Sequence, residues 1–148
     1  MTRYLILLRG INVGGRNTLP MAALRELLES HGHTNVSTYI ASGNVILSSD
    51  ASAATIKREL EDALPRTFTL DSELIAVLVL TRAQLRAIVR DRPKGFGDQP
   101  DTYHSDAIFL MGIDAPKAMT VFDPRPGVDA VWPGKGVIYS QQIGRAHV

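Results

Sequence analysis

Over its first eighty residues the chain switches repeatedly between strand-like and helix-like apolar patterning. The order of those switches constrains the fold more than any single motif does. Tyr4 to Leu8 is a continuous apolar run, so residues 3–9 read as a buried strand. Residues 20–31 carry Met21, Leu24, Leu27 and Leu28 on one helical face, with Pro20 suited to the first turn and Gly32 to the stop. Val36 to Ile40 is a strand, Ser42-Gly43 a tight turn, and Asn44 to Ser48 the returning strand. Ser52 is the cap of a helix that turns Ile56, Leu60, Ala63 and Leu64 inward and is expected to stop at Pro65. Residues 73–80 complete the set as a fourth strand.

The resulting order, β-α-β-β-α-β, is the split βαβ pattern of a ferredoxin-like fold. A third helix follows, capped by Thr81, with Leu85, Ile88 and Val89 as its apolar face. Residues 92–102, rich in Pro, Gly and Asp, read as a linker. Beyond them lie a strand from Tyr103 to Met111 and a short helix starting near Asp114 and Pro116. Strands from Val128 to Trp132 and from Val137 to Tyr139 follow, joined through Gly134-Lys135-Gly136. The expected architecture is α+β, with two ferredoxin-like subdomains. The first spans 1–91 with its linking helix. The second spans 103–140 and is incomplete, followed by an atypical tail at 141–148. A β-α-β-β unit without its last helix and strand leaves apolar side chains beside an open edge, which favours self-association.

Composition narrows the function classes. The hydrophobic share is 45% and the charged share 21%, ordinary for a globular chain. A net charge of +1 gives no field that favours nucleic acid or a membrane surface. There is no cysteine, which removes disulfides, thiolate nucleophiles and cysteine metal sites. The longest apolar run, Leu74 to Leu80, is too short to span a bilayer, and Arg9 and two glycines break any signal-peptide pattern. A cytoplasmic protein is expected, and no motif asks for a cofactor.

The connection after the first strand, Arg9-Gly10-Ile11-Asn12-Val13-Gly14-Gly15-Arg16-Asn17, concentrates glycines, arginines and free amides before a helix start. Glycines allow close backbone approach, and arginines and amides at such a place attract anions. In a ferredoxin-like sheet the first and third strands are antiparallel neighbours, so this loop is expected to meet Ser42-Gly43-Asn44 at one rim. The candidate ligand-binding set is Arg9, Gly10, Asn12, Gly14, Gly15, Arg16, Asn17, Ser42, Gly43 and Asn44. The same residues have a purely structural reading. The glycines permit tight turns, and Asn12, Asn17 and Asn44 staple loop backbone. The loop is neither a phosphate-binding P-loop, which needs Gly-Lys-Ser/Thr, nor a dinucleotide fingerprint.

Other candidates are weaker. His31-x-His33 sits in a helix-end turn and is expected to face solvent, so no metal site is expected. Both histidines lie at the opposite end of the sheet from Ser42, which argues against a Ser-His nucleophilic pair. Arg82, Arg86 and Arg90, with Arg92 and Lys94, form a basic stripe that reads as a solvated helix face rather than a phosphate surface. RNA-recognition sheets stack bases on aromatics of their central strands. Here only Tyr4 is available there, so nucleic acid is disfavoured.

The run Leu7-Leu8-Arg9-Gly10-Ile11-Asn12-Val13-Gly14-Gly15, then Asn17, Met21-x-x-Leu24-Arg25 and Thr38-Tyr39-Ile40-x-Ser42-Gly43-Asn44-Val45, resembles the bacterial family called domain of unknown function (DUF) 1697. The resemblance extends through Trp132-Pro133-Gly134 and Gly136-Val137-Ile138-Tyr139-Ser140. It implies two ferredoxin-like subdomains and no particular reaction. It also implies a further helix and strand after Ser140. Gln141 to Val148 departs from that pattern, so a truncated or altered C-terminal end is expected. Three functions remain open: a binding protein for a small anionic or nucleotide-like ligand at the rim, an enzyme using the rim for electrophilic stabilisation, or an interaction module without a ligand. The enzyme reading lacks a general base, since neither motif contains His, Asp or Glu.

Overall fold

A computed structural model of the chain describes residues 1–9, 11, 19–39, 43–68 and 76–143. It is α+β, with two antiparallel sheets and four α-helices among the described residues. The chain divides into two compact units, Met1–Leu85 and Arg86–Val148.

The first unit runs β1 (Thr2–Arg9), α1 (Met21–Ser30), β2 (Thr34–Tyr39), β3 (Asn44–Ser49), α2 (Ala53–Thr67) and β4 (Ala76–Thr81). Its sheet order is β2-β3-β1-β4, and every neighbouring pair is antiparallel. Strand side chains alternate between faces. Tyr4, Ile6 and Leu8 of β1, Val45 and Leu47 of β3, and Val77 and Val79 of β4 are buried in one cluster with Leu24 and Leu28 of α1 and Ile56, Leu60 and Leu64 of α2. The helices therefore cover one face. On the other face Leu5, Leu7, Leu78 and Leu80 are only half-buried, and Ile46 is exposed. β1 is thus a two-faced strand, where the apolar run had suggested burial on both sides.

Local chemistry accounts for the helix ends. The Ser52 hydroxyl accepts from the Thr55 N–H and caps α2 as expected. α2 does not stop at Pro65 but continues to Thr67. A proline in the last turn removes a single backbone hydrogen bond, and the fully buried Leu64 holds that turn against the core. α1 begins after Pro20, whose carbonyl accepts from the Leu24 N–H, and ends before Gly32 at φ +89°.

α3 (Arg82–Arg90) carries the chain out of the first unit. Thr81 and Gln84 cap it reciprocally: the Thr81 hydroxyl accepts from the Gln84 N–H, and the Gln84 side chain accepts from the Thr81 N–H. Of its expected apolar face, Ile88 is buried and Leu85 half-buried, whereas Val89 is 54% exposed. The second unit then runs β5 (Tyr103–Phe109), α4 (Ala115–Ala118) with a 3₁₀ turn (Met119–Val121), β6 (Asp129–Pro133) and β7 (Val137–Ile143). Its sheet order is β5-β7-β6, again antiparallel. Asp114 caps α4 by accepting from the Lys117 N–H. β7 extends to Ile143, beyond the expected end at Tyr139, and pairs with β5 along its whole length. Val137, Ile138 and Tyr139 in this central strand are buried, while Ile108, Phe109, Val131 and Trp132 in the outer strands are half-buried. At Gly134, between β6 and β7, a side chain has no room: a Cβ would lie 2.6 Å from the Tyr139 ring and 2.7 Å from Val137 Cγ1.

The stretch 92–102 is a series of turns folded onto this second sheet. Phe96 packs edge-on against Trp132 and Tyr139, with centroids 6.4 Å and 5.2 Å away. Gln141 Oε1 accepts from both the Gly97 N–H and the Ser105 hydroxyl.

Candidate functional site

β1 ends at Arg9, and β3 begins at Asn44. Their register sets Leu7 opposite Asn44, and the Leu8 N–H donates to the Gly43 carbonyl at 3.0 Å. Arg9, Gly43 and Asn44 therefore lie at the same end of the sheet. Gly10, Asn12, Gly14, Gly15, Arg16, Asn17 and Ser42 fall outside the described residues. The two described residues that flank 12–18 are Ile11 and Leu19, each 1% exposed and part of the core. Both ends of that connection are thus anchored by apolar burial.

The described members of the set behave differently from one another. Gly43 adopts φ +90°, and a Cβ there would meet Ile11 Cδ1 and Leu8 Cβ at 2.9 Å. Close packing of the turn on β1 accounts for this glycine. The Asn44 side-chain amide donates to the Tyr39 carbonyl at 3.3 Å, stapling the facing ends of β2 and β3. Arg9 is exposed, and its side chain has no ion-pair or hydrogen-bond partner among the described residues. The nearest carboxylates in sequence are on α1, where Glu29 is taken by Arg25 at 3.1 Å.

Tyr39 stands in the same cross-strand row, opposite Asn44, and is 70% exposed. On the central strands the aromatic residue is Tyr4. That ring is buried on the helix-covered face, and its hydroxyl donates to the Ala51 carbonyl at 2.8 Å. The signal for Tyr39 is its cross-strand pairing with Asn44, which puts both side chains on one face.

The chain from residue 1 to 139 matches the model of the family described as protein of unknown function, DUF1697. The chain belongs to that family. It is also similar to a solved structure, the conserved bacterial protein SP0830 from Streptococcus pneumoniae, at 27% identity and TM-score 0.79. That similarity covers 97% of this chain and 78% of the other. No functionally curated protein matches the chain.

In this DUF1697 chain a Ser-His contact does exist, with a serine other than Ser42. His33 is 5% exposed, contrary to the expected solvent-facing turn, and its Nδ1 lies 2.9 Å from the Ser49 hydroxyl. Ser49 Oγ also accepts from the Ala51 N–H at 3.0 Å. On the other side of the ring, His33 Nε2 faces Glu59 Oε2 at 3.4 Å. That separation is long for a hydrogen bond, and Glu59 Oε2 is buried with no closer partner among the described residues. Ser49 is 4% exposed, so substrate has no access to its hydroxyl. The trio ties the start of β2, the end of β3 and α2 together. It sits about 17 Å from Asn44, five residues away along β3.

The basic stripe on α3 is partly neutralised. Arg90 forms a two-pronged pair with Asp91, at 3.0 Å and 3.2 Å, and Arg92 donates to the Val89 carbonyl. Hydrogen bonding from Arg90 holds the Asp91 carboxyl below its ordinary range. Among the described residues no helix is long and apolar enough to cross a membrane.

Proposed function

We propose that the rim at the Arg9 end of β1 binds a small anionic or nucleotide-like ligand, in a cytoplasmic protein whose first unit is ferredoxin-like. The β-α-β-β-α-β order and the strand order β2-β3-β1-β4 support the fold reading. The second unit repeats the arrangement in shorter form, since β5-β7-β6 corresponds to first, third and second strands.

One observation carries the ligand reading. An exposed arginine with no carboxylate partner among the described residues closes a central strand, beside the turn that contributes Gly43 and Asn44. An unpaired guanidinium offers a planar fork of donors suited to phosphate or carboxylate. In this reading Arg9 and Arg16 supply charge. Asn12, Asn17 and Asn44 orient the ligand, and Gly10, Gly14, Gly15, Ser42 and Gly43 give backbone access. Thermal shift tests it. Phosphate or sulfate is expected to raise the melting temperature of the native chain by mass action, and Arg9→Ala is expected to abolish that rise. An equal response in both proteins overturns the reading. Any nucleotide or sugar phosphate that raises the melting temperature is then assayed for turnover, which separates a binding protein from an enzyme.

A further inference from the structure

We propose that this rim takes a nucleoside monophosphate, with its phosphate at Arg9 and its base stacked on the Tyr39 ring. The proposal rests on the anion reading above and adds the ligand class and the second contact. Register fixes the placement. Tyr39 pairs with Asn44, Asn44 with Leu7, and Leu7 with Leu78, so these four side chains form one row across the sheet. Leu7 and Arg9 are two residues apart and share a face. That face is the one the helices leave open, because Leu8, Val45 and Val77 point into the core.

The face has three chemically distinct parts. Its floor is apolar, with Leu7 and Leu78 half-buried and Ile46 37% exposed. On its β2 side stands an aromatic ring that is 70% exposed. On its β1 side stands the exposed Arg9, whose side chain has no partner among the described residues. Two strand spacings and two residues of rise put the Tyr39 and Arg9 backbones about 12 Å apart, a gap that both long side chains shorten. A flat aromatic group joined to a single anion by a short polar spacer matches this spacing. The Asn44 amide on the Tyr39 carbonyl holds the strand end that carries the ring. Free phosphate leaves the ring unused. A nucleic-acid strand needs a row of cations along its backbone. The other described arginine on this face of β1, Arg3, donates instead to the Asn35 carbonyl and Ser48.

Calorimetric titration of the full chain with AMP, adenosine, inorganic phosphate and an oligoadenylate tests the proposal. AMP is expected to bind more tightly than adenosine or phosphate alone. Tyr39→Ala is expected to weaken AMP about five- to a hundredfold, the range for losing one stacked base, and to leave phosphate unchanged. Tyr39→Phe keeps the ring and is expected to retain AMP binding. Arg9→Ala is expected to reduce AMP to the level of adenosine. Equal AMP affinity in native chain and Tyr39→Ala overturns the stacking proposal, and phosphate binding that persists in that case leaves the anion reading standing. Adenosine binding that depends on Tyr39 with no phosphate response overturns the anion reading instead. An oligoadenylate that binds far more tightly than AMP overturns the mononucleotide assignment in favour of a strand.

Discussion

The two sheets differ in how they are made stable. In the first, helices α1 and α2 bury a continuous core that includes Ile6, Leu24, Leu47, Ile56 and Leu64 at 0% exposure. In the second, the described buried apolar residues are Ile88, Ala115, Ala118 and Val137 to Tyr139, with partly buried neighbours such as Ile108, Leu110 and Phe122 around Ile138. Its remaining support is aromatic and polar: Phe96 on Trp132 and Tyr139, and Gln141 bridging Gly97 and Ser105. A sheet backed by amphipathic helices stands on non-directional burial. One with little helical cover depends more on particular side-chain contacts, and single substitutions probe that difference.

The largest effect is expected in the first unit. Leu24→Ala removes a fully buried side chain from under the sheet and is expected to cost about 2–5 kcal/mol. Urea unfolding monitored by far-UV circular dichroism measures it. A cost below about 1 kcal/mol would mean that the helix-backed core is not what distinguishes the two sheets.

A smaller and local effect is expected in the second unit. Phe96→Ala removes two edge-on aromatic contacts, each worth roughly 0.5–1.5 kcal/mol beyond its buried area. The expected result is faster proteolytic cleavage within 92–143, with residues 1–85 as resistant as before. If cleavage there is unchanged, the turn segment is a spacer and the comparison has to be drawn without it.

This contrast also explains what could be read in the sequence. The strands and helices of the first unit follow from strong periodic apolar patterns, and Ser52 and Thr81 cap their helices as their side-chain chemistry dictates. The meeting of Arg9 with Gly43 and Asn44 was legible because strand order alone fixes it. The misreadings came where tertiary contacts override local rules. Pro65 reads as a stop until Leu64 is seen to be buried. His33 reads as solvent-facing until Ser49 and Glu59, remote in sequence, converge on it. Phe96 lies in a stretch whose composition signals only turns, and no periodicity announces its contact with Trp132. The chemical interest of Tyr39 comes from exposure, which an edge strand confers and a one-dimensional pattern does not reveal.

The smallest expected effect concerns pH and again separates the units. Tyr139 is buried in β7, and its hydroxyl donates to the Ile88 carbonyl. Burial first, and then the negative charge of Asp91, push its pKa above the ordinary tyrosine value. Raising the folded-state pKa above the unfolded one means that the native chain keeps a proton the unfolded chain releases. The resulting stabilisation is fully present below the ordinary tyrosine pKa of about 10. It is lost as pH rises from there through the folded value. Amide exchange at β5 and β7 is therefore expected to accelerate above about pH 10 before that at β1 and β3 does. Tyr139→Phe is expected to remove this early onset while costing about 0.5–1.5 kcal/mol at neutral pH through the lost hydrogen bond. Asp91→Asn is expected to keep most of the onset, because burial is the larger cause. An onset that disappears in Asp91→Asn would assign the effect to the Arg90–Asp91 corner and not to the buried ring. The second sheet would then depend on surface charge where burial is expected to dominate.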